Sequence, residues 1–367
     1  MTLIANYFIG PFPFFHGDSL ITAEVDLAES RVPLPYNSHI NGKIDGAFIT
    51  GLYQKLVIVS PSIAFCWTGS LKAAKKFNET LISLSNKLNP LNFKSEMEKL
   101  NINSQALGLI IMCFEAGQLC IFDFGVDHVE LPEFGEIRLG GSGKGDAYST
   151  LARLSYKYHK DMSGILDFYE AIDLANVIAT ELFSLNVLGG YGLNNRWGGI
   201  IETMFLDCKG FRKPTDTMYI FWELTITKDG SLDVRKDAHY IKQFYINDIL
   251  LCYYRRSSEN RNEVFVVPTL TTDLANMIVW VNKNSEEIQS RCRNHNLTNT
   301  FYNIVVLKNM SDDSKSISIF SVNSAKYYNH YNKILNSTGE DITTLFYELI
   351  DELLRQMNVH NPKWRRP

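Results

Sequence analysis

Short apolar blocks, rich in β-branched and aromatic side chains, open the chain and predict strands before helices. Thr2 to Phe8 reads as a strand, and Ser19 to Val25 as a second. The Pro/Phe-rich stretch between them, Gly10 to Gly17, reads as a turn, because proline cannot donate to a ladder. Residues 32–46 carry Pro33, Pro35, Asn37, Asn41, Gly42 and Gly46, the composition of a surface loop. Leu56 to Val59 and Ile63 to Trp67 form two further strands, split by Ser60-Pro61-Ser62.

The period then changes. Leu71, Ala74, Phe77, Leu81, Leu84 and Leu88 recur at spacings of three and four and predict one amphipathic helix, with Ser70 as N-cap and Pro90 as stop. A short helix is expected over 94–100, a hairpin over Leu107 to Phe124 around Glu115-Ala116-Gly117, and a short strand over Glu136 to Leu139. Helices follow at 145–158 and 165–186, then a strand from Ile200 to Phe205 and a hairpin from Met218 to Val234 that turns at Lys228-Asp229-Gly230. Beyond residue 236 the texture shifts to aromatic and β-branched runs at 239–246, 249–254, 263–267, 277–281, 301–307 and 316–322, divided by Asn- and Ser-rich loops. An amphipathic helix over 340–357 closes the pattern, with Ile342, Leu345, Phe346, Leu349, Ile350, Leu353 and Leu354 on one face. Two domains are expected, 1–235 and a β-rich 236–367.

Composition narrows the function. A net charge of −4 and a pI of about 6.1 argue against a dedicated nucleic-acid binder. The six cysteines are scattered, without CxxC pairs or zinc-ligand spacing, and read as free thiols of a reducing compartment. The eight histidines show no paired spacing, and Gly140 to Gly145 lacks the GxxxxGK[ST] phosphate-loop pattern. No metal and no cofactor are therefore expected. No secretory leader and no membrane-spanning run can be read, so a cytoplasmic protein without a membrane partner is expected.

Three segments carry a resemblance. Gln54-Lys55-Leu56-Val57-Ile58-Val59-Ser60 runs through Cys66-Trp67-Thr68-Gly69-Ser70 into the first helix. Gly141-Ser142-Gly143 opens a helix with Ala147 and Leu151. An Ala-rich helix is followed by Trp197-Gly198-Gly199 and a strand. In order and spacing these resemble the proteasome-type subunits of the Ntn-hydrolase superfamily over residues 2–235. The resemblance implies an α+β fold, a four-layer αββα Ntn-hydrolase sandwich, with a mostly β C-terminal region ending in the amphipathic helix. It also implies a homo- or hetero-oligomer.

The chemistry so implied is that of an N-terminal threonine. Thr2 would become the nucleophile once Met1 is removed, with its own α-amine as base, since an α-amine titrates near neutral pH. Lys55 would favour the deprotonated hydroxyl, Asp26 would orient that lysine (Glu24 and Glu29 compete for the role), Gly69 would supply the oxyanion N–H, and Ser142 would organise the terminal amine. The substrate would be a peptide or another amide. The chain departs from the family at Asn194, in place of an aspartate, and at Trp197, in place of a small hydroxyl residue. Those departures imply an alternative, a catalytically inactive scaffold or sensing subunit that binds a protein partner.

Overall fold

The computed structural model describes residues 2–23, 43–44, 47–100, 102–103, 105–158, 167–189, 196–226, 232–256, 261–293, 300–309 and 315–322. The chain divides into two compact units. One comprises Met1–Pro214, Ile246–Leu251 and Val266–Val281; the other comprises Thr215–Tyr245, Cys252–Phe265 and Asn282–Pro367.

The first unit begins with a tight hairpin. β1 (Ile4–Ile9) pairs with β2 (Phe12–Gly17), Ile9 lying opposite Phe12 and Ile4 opposite Gly17. Gly10 leads the two-residue turn with φ +57°, the left-handed backbone that such a turn needs. The segment expected to be a turn is therefore a strand. Pro13 is tolerated in it because the pairing of β2 with β12 (Glu202–Asp207) spans only Gly17 to Phe14 and stops short of the proline. With β10 (Asp127–Leu131), β11 (Gly135–Gly140) and β13 (Gly210–Arg212) these strands make a six-stranded sheet in the order β10-β11-β1-β2-β12-β13.

A four-stranded sheet runs β6 (Leu56–Ser60), β7 (Ile63–Gly69), β8 (Leu107–Glu115), β9 (Gln118–Phe124). The two-residue period of β7 divides its side chains between two clusters. Ile63, Phe65 and Trp67 join Leu109 and Ile111, together with Ala74, Phe77 and Leu81 of α1 (Leu71–Leu84) and Phe93 and Met97 of α2 (Phe93–Glu98). Ala64 and Cys66 turn the other way, onto Ile4, Phe15, Met204 and Phe211 of the six-stranded sheet. Each large side chain so buried contributes roughly 1.5–3 kcal/mol. Ser70 caps α1 by accepting from the Ala73 N–H, as its position predicts. α3 (Lys144–Tyr158) and α4 (Phe168–Gly189) pack on each other and on β1, β2, β11 and β12, burying Ala147, Leu151, Ala171, Ala175 and Ala179. A small third sheet has the order β3 (Leu20–Ala23), β5 (Ala47–Leu52), β4 (Lys43–Ile44).

The second unit is built on a six-stranded sheet in the order β17 (Arg261–Val267), β16 (Ile249–Arg256), β15 (Leu232–Ile246), β14 (Asp216–Ile226), β18 (Thr300–Asn309), β19 (Lys315–Val322). β14 and β18 run parallel, while β14–β15 and β18–β19 are antiparallel. The apolar run at 277–281, which belongs to the first unit and reads as a strand, lies instead in a helix, α5 (Met277–Lys283), entered through an Asp273 carboxylate that accepts from the Ala275 N–H; α6 (Ser285–Arg293), in the second unit, follows.

This architecture corrects the expected fold class. The described residues form a mixed, sheet-rich fold of four mostly antiparallel sheets and six α-helices, not a four-layer αββα sandwich with an appended β region. The reason lies in strand partition. Residues 216–246, expected partly as a hairpin of the first domain, pair with β18 in a sheet of their own, and β3, β4 and β5 form another. The amphipathic helix expected at 340–357 lies outside the described residues. Among the described residues no helix is long and apolar enough to cross a membrane.

Candidate functional site

The hairpin register decides what meets Thr2. Pairing continues one step past Ile4 and Gly17, so the Asp18 N–H donates to Leu3 O at 3.0 Å, and the Leu3 N–H returns a bond to Asp18 Oδ1 at 3.0 Å. The Asp18 carboxylate is thereby turned onto the Thr2 hydroxyl, which donates to Oδ1, while Gly198 N–H donates to Oδ2 at 2.7 Å. Thr2 and Asp18 are both fully buried. Asp18 is not marked by the sequence pattern, because the Gly10–Gly17 segment reads as a turn and the family's carboxylate is then expected at Asp26. The signal was present: Gly-Pro between two aromatic-rich runs of equal length fits a two-residue hairpin turn, and that turn brings residue 18 back beside residue 3. Asp26, Glu24 and Glu29 lie outside the described residues, as does Asn194.

Lys55, just ahead of β6, is also buried, at 1% exposure. Its ammonium lies 3.8 Å from the centroid of the Trp67 ring, a cation–π contact. Burial draws its pKa down to about 8, against the opposing pull of Asp18 and Glu202. Burial pushes the Asp18 carboxyl up, opposed first by the Lys55 charge and then by the Thr2 hydroxyl and the Gly198 and Leu3 N–H groups. Each charge thus offsets part of the other's desolvation cost.

Two glycine turns close over Thr2. Gly143 N–H donates to Thr2 O at 3.1 Å. A Cβ placed on Gly141 would sit 1.9 Å from Thr2 O and 3.0 Å from Thr68 Oγ1, so the end of β7 and the β11–α3 turn converge on Thr2 with no room for a side chain. Gly69, next along from Thr68, holds φ +103°, and a Cβ there would lie 2.4 Å from Ala106 O. The structure therefore brings Thr2, Lys55 and the Gly69 turn together with Asp18. Ser142 is exposed, and its hydroxyl donates to Arg196 O at 3.2 Å, tying the β11–α3 turn to the segment before β12. Trp197, the bulky departure, is fully buried; its indole N–H donates to Asp146 Oδ2 at 2.6 Å. Its ring packs on Gly143, where a Cβ would come within 2.7 Å of Trp197 Cγ and 2.8 Å of Leu3 Cβ.

Among the described residues no group of three or more His, Cys, Asp or Glu side chains is arranged to hold a metal ion. None of the six cysteines forms a disulfide. The chain matches no protein-family model, and comparison with curated proteins gives no match in sequence.

Proposed function

We propose that the chain is an N-terminal-threonine amide hydrolase acting on a peptide or related amide, as the resemblance to proteasome-type subunits implies. The observation that carries this reading is the dry convergence of Thr2, Asp18 and Lys55. A buried carboxylate and a buried ammonium are each costly, and a hydroxyl held between backbone turns against such a pair is the arrangement that activates a nucleophile.

In this reaction the Thr2 oxygen attacks the amide carbonyl once Met1 is gone. The freed α-amine takes the hydroxyl proton and passes it to the leaving amine, while the Lys55 ammonium stabilises the developing alkoxide. Asp18 fixes the hydroxyl and faces the Lys55 charge. Water then cleaves the acyl-threonine ester and regenerates the hydroxyl. The Gly69 turn, beside Thr68, supplies the N–H for the tetrahedral oxyanion. The six free thiols suit a reducing, cytoplasmic setting.

Intact-mass measurement and a threonine-directed β-lactone test this. The expected outcome is a chain lacking Met1 that is labelled at Thr2, with labelling and peptide hydrolysis abolished in Thr2→Ala. Retention of Met1 in the mature protein would end the mechanism as stated. One observation favours a second reading, an inactive scaffold that binds a protein partner: Trp197 fills, completely buried, the place the family gives to a small hydroxyl residue. Free Thr2 that resists both reagent and peptides would support that scaffold.

A further inference from the structure

Behind Lys55 lies a second pair of charges that the proposed reaction does not use directly. The Glu202 side chain, at the start of β12, is fully buried, and Lys213, just past β13, keeps 12% of its side chain exposed. Glu202 Oε2 accepts the Lys55 N–H at 2.9 Å and the Leu56 N–H at 3.5 Å, while Oε1 takes the Lys213 ammonium at 2.7 Å. Lys213 also donates to Gln54 Oε1 at 2.6 Å. Gln54 O in turn accepts the Trp67 indole N–H at 3.1 Å, and the Trp67 ring lies under the Lys55 ammonium. The main chain of Lys55 is thus gripped by a carboxylate, and its side chain lies on an aromatic wall that the same network orients.

We propose that Glu202 and Lys213 are a positioning pair that sets the placement and charge of Lys55 beside Thr2. The inference rests on the reading of Thr2 as nucleophile. Two N–H groups could be satisfied by a neutral amide, so backbone anchoring alone does not require a buried carboxylate, whose desolvation costs several kcal/mol. A negative charge at this position favours the ammonium form of Lys55. The charges alternate from the nucleophile outward: Asp18 negative, Lys55 positive, Glu202 negative, Lys213 positive. Burial lowers Lys55 to about 8, and both Asp18 and Glu202 act against that fall. Of the other groups nearby, Trp67 on β7 is uncharged, and His16 on β2, whose Nδ1 lies 3.4 Å from Glu202 O, is held neutral down to about pH 4.

Removing the Glu202 charge should therefore let Lys55 lose its proton at lower pH. The test is Glu202→Gln, with Glu202→Gln/Lys213→Gln as a second variant that replaces the ion pair by two amides and leaves no unpaired charge. Tryptophan fluorescence is titrated with pH in the full-length chain, and the component belonging to Trp67 is identified by its loss in Trp67→Phe. The wild-type step is expected near pH 8; Glu202→Gln should move it down by ~1 pH unit, and the double variant, which also loses the Lys213 charge, should move it in the same direction by less. The alkaline limb of kcat/KM should move by the same amount, which a merely structural role would not produce. An unmoved fluorescence step in folded variants overturns the proposal. A displaced step in a chain that Thr2-directed reagents never label overturns the nucleophile reading instead, and leaves the control of Lys55 by Glu202 standing.

Discussion

Burying Asp18 or Lys55 without the other would cost several kcal/mol, and each charge offsets part of that cost for its neighbour. A second buried polar cluster shows the opposite strategy. His16 lies fully buried on β2, its Nε2 2.5 Å from the Tyr7 hydroxyl and its Nδ1 3.1 Å from Thr203 Oγ1. The hydroxyl of Tyr7 donates to Nε2, which leaves the proton on Nδ1 and the ring neutral. Burial lowers the His16 pKa to about 4, against bonds to the Glu202 and Ala175 backbones that raise it. The sign follows from proton counts: between about pH 6.5 and 4 the unfolded chain binds a proton that the folded chain refuses. Stability is full above that window and falls as the pH drops through it, by roughly 3 kcal/mol. Urea denaturation at pH 7 and at pH 4 should show this loss, and His16→Gln should flatten the slope. An unchanged slope in the variant would place the acid sensitivity elsewhere.

Elements, rather than single residues, explain what could be read in advance. Lys55 and Gly69 stand at the same end of one strand pair, away from its turn, where local spacing marks them, and α1 announces itself by its stripe and its Ser70 cap. Asp18 was hidden because its place depends on whether Gly10-Pro11 makes a two-residue turn, and a change of one residue there would alter every partner across the hairpin. Glu202 was hidden for another reason. It reaches Lys55 across 147 positions of sequence, and no local pattern distinguishes it from any other strand glutamate. The run at 277–281 misled because β-branched side chains favour strands only when packing agrees; here Ile278 and Val279 are 74% and 65% exposed on a short helix. The turn from β11 into α3 offers a direct test of an element's role. Gly141→Ala puts a methyl group against Thr2 O at φ +86° and should cost ~1–3 kcal/mol together with Thr2 labelling. Gly145→Ala, two residues inside α3 with open space around it, should raise stability by up to ~1 kcal/mol and leave labelling intact. Thermal melts and β-lactone labelling of the two variants separate a strained turn from a permissive helix; equal behaviour would deny the turn its special geometry.

At the scale of the whole molecule, the first unit is not a single stretch of chain. Residues 246–251 and 266–281 belong to it although they follow the strands of another sheet. Their contribution reaches the site: Gln54 donates through its side chain to Asp248 O at 2.8 Å and Val267 O at 3.0 Å, and through its main chain to Pro268 O at 3.0 Å, while Leu270 joins the core beneath α1. A fragment ending at residue 235, the boundary that the change of texture suggests, removes all of these. Each donor left buried without a partner costs about 1–3 kcal/mol, a large share of a stability that is commonly about 5–15 kcal/mol. The fragment should therefore melt well below the full-length chain, as followed by circular dichroism, and an equal melting temperature would show that the later residues are dispensable.

The depth of Thr2 has a practical consequence for anyone preparing the protein. Its side chain is enclosed, its carbonyl is bound by Gly143 and its hydroxyl by Asp18. If Thr2 is the nucleophile proposed above, an affinity tag fused ahead of it would keep its nitrogen an amide instead of the α-amine the reaction needs, and would crowd the very turns that hold it. On that reading, purified material of that design would look inert whatever the native chain does. A tag placed at the other terminus, or one released by a protease that leaves Thr2 as the first residue, is the form in which activity should be sought.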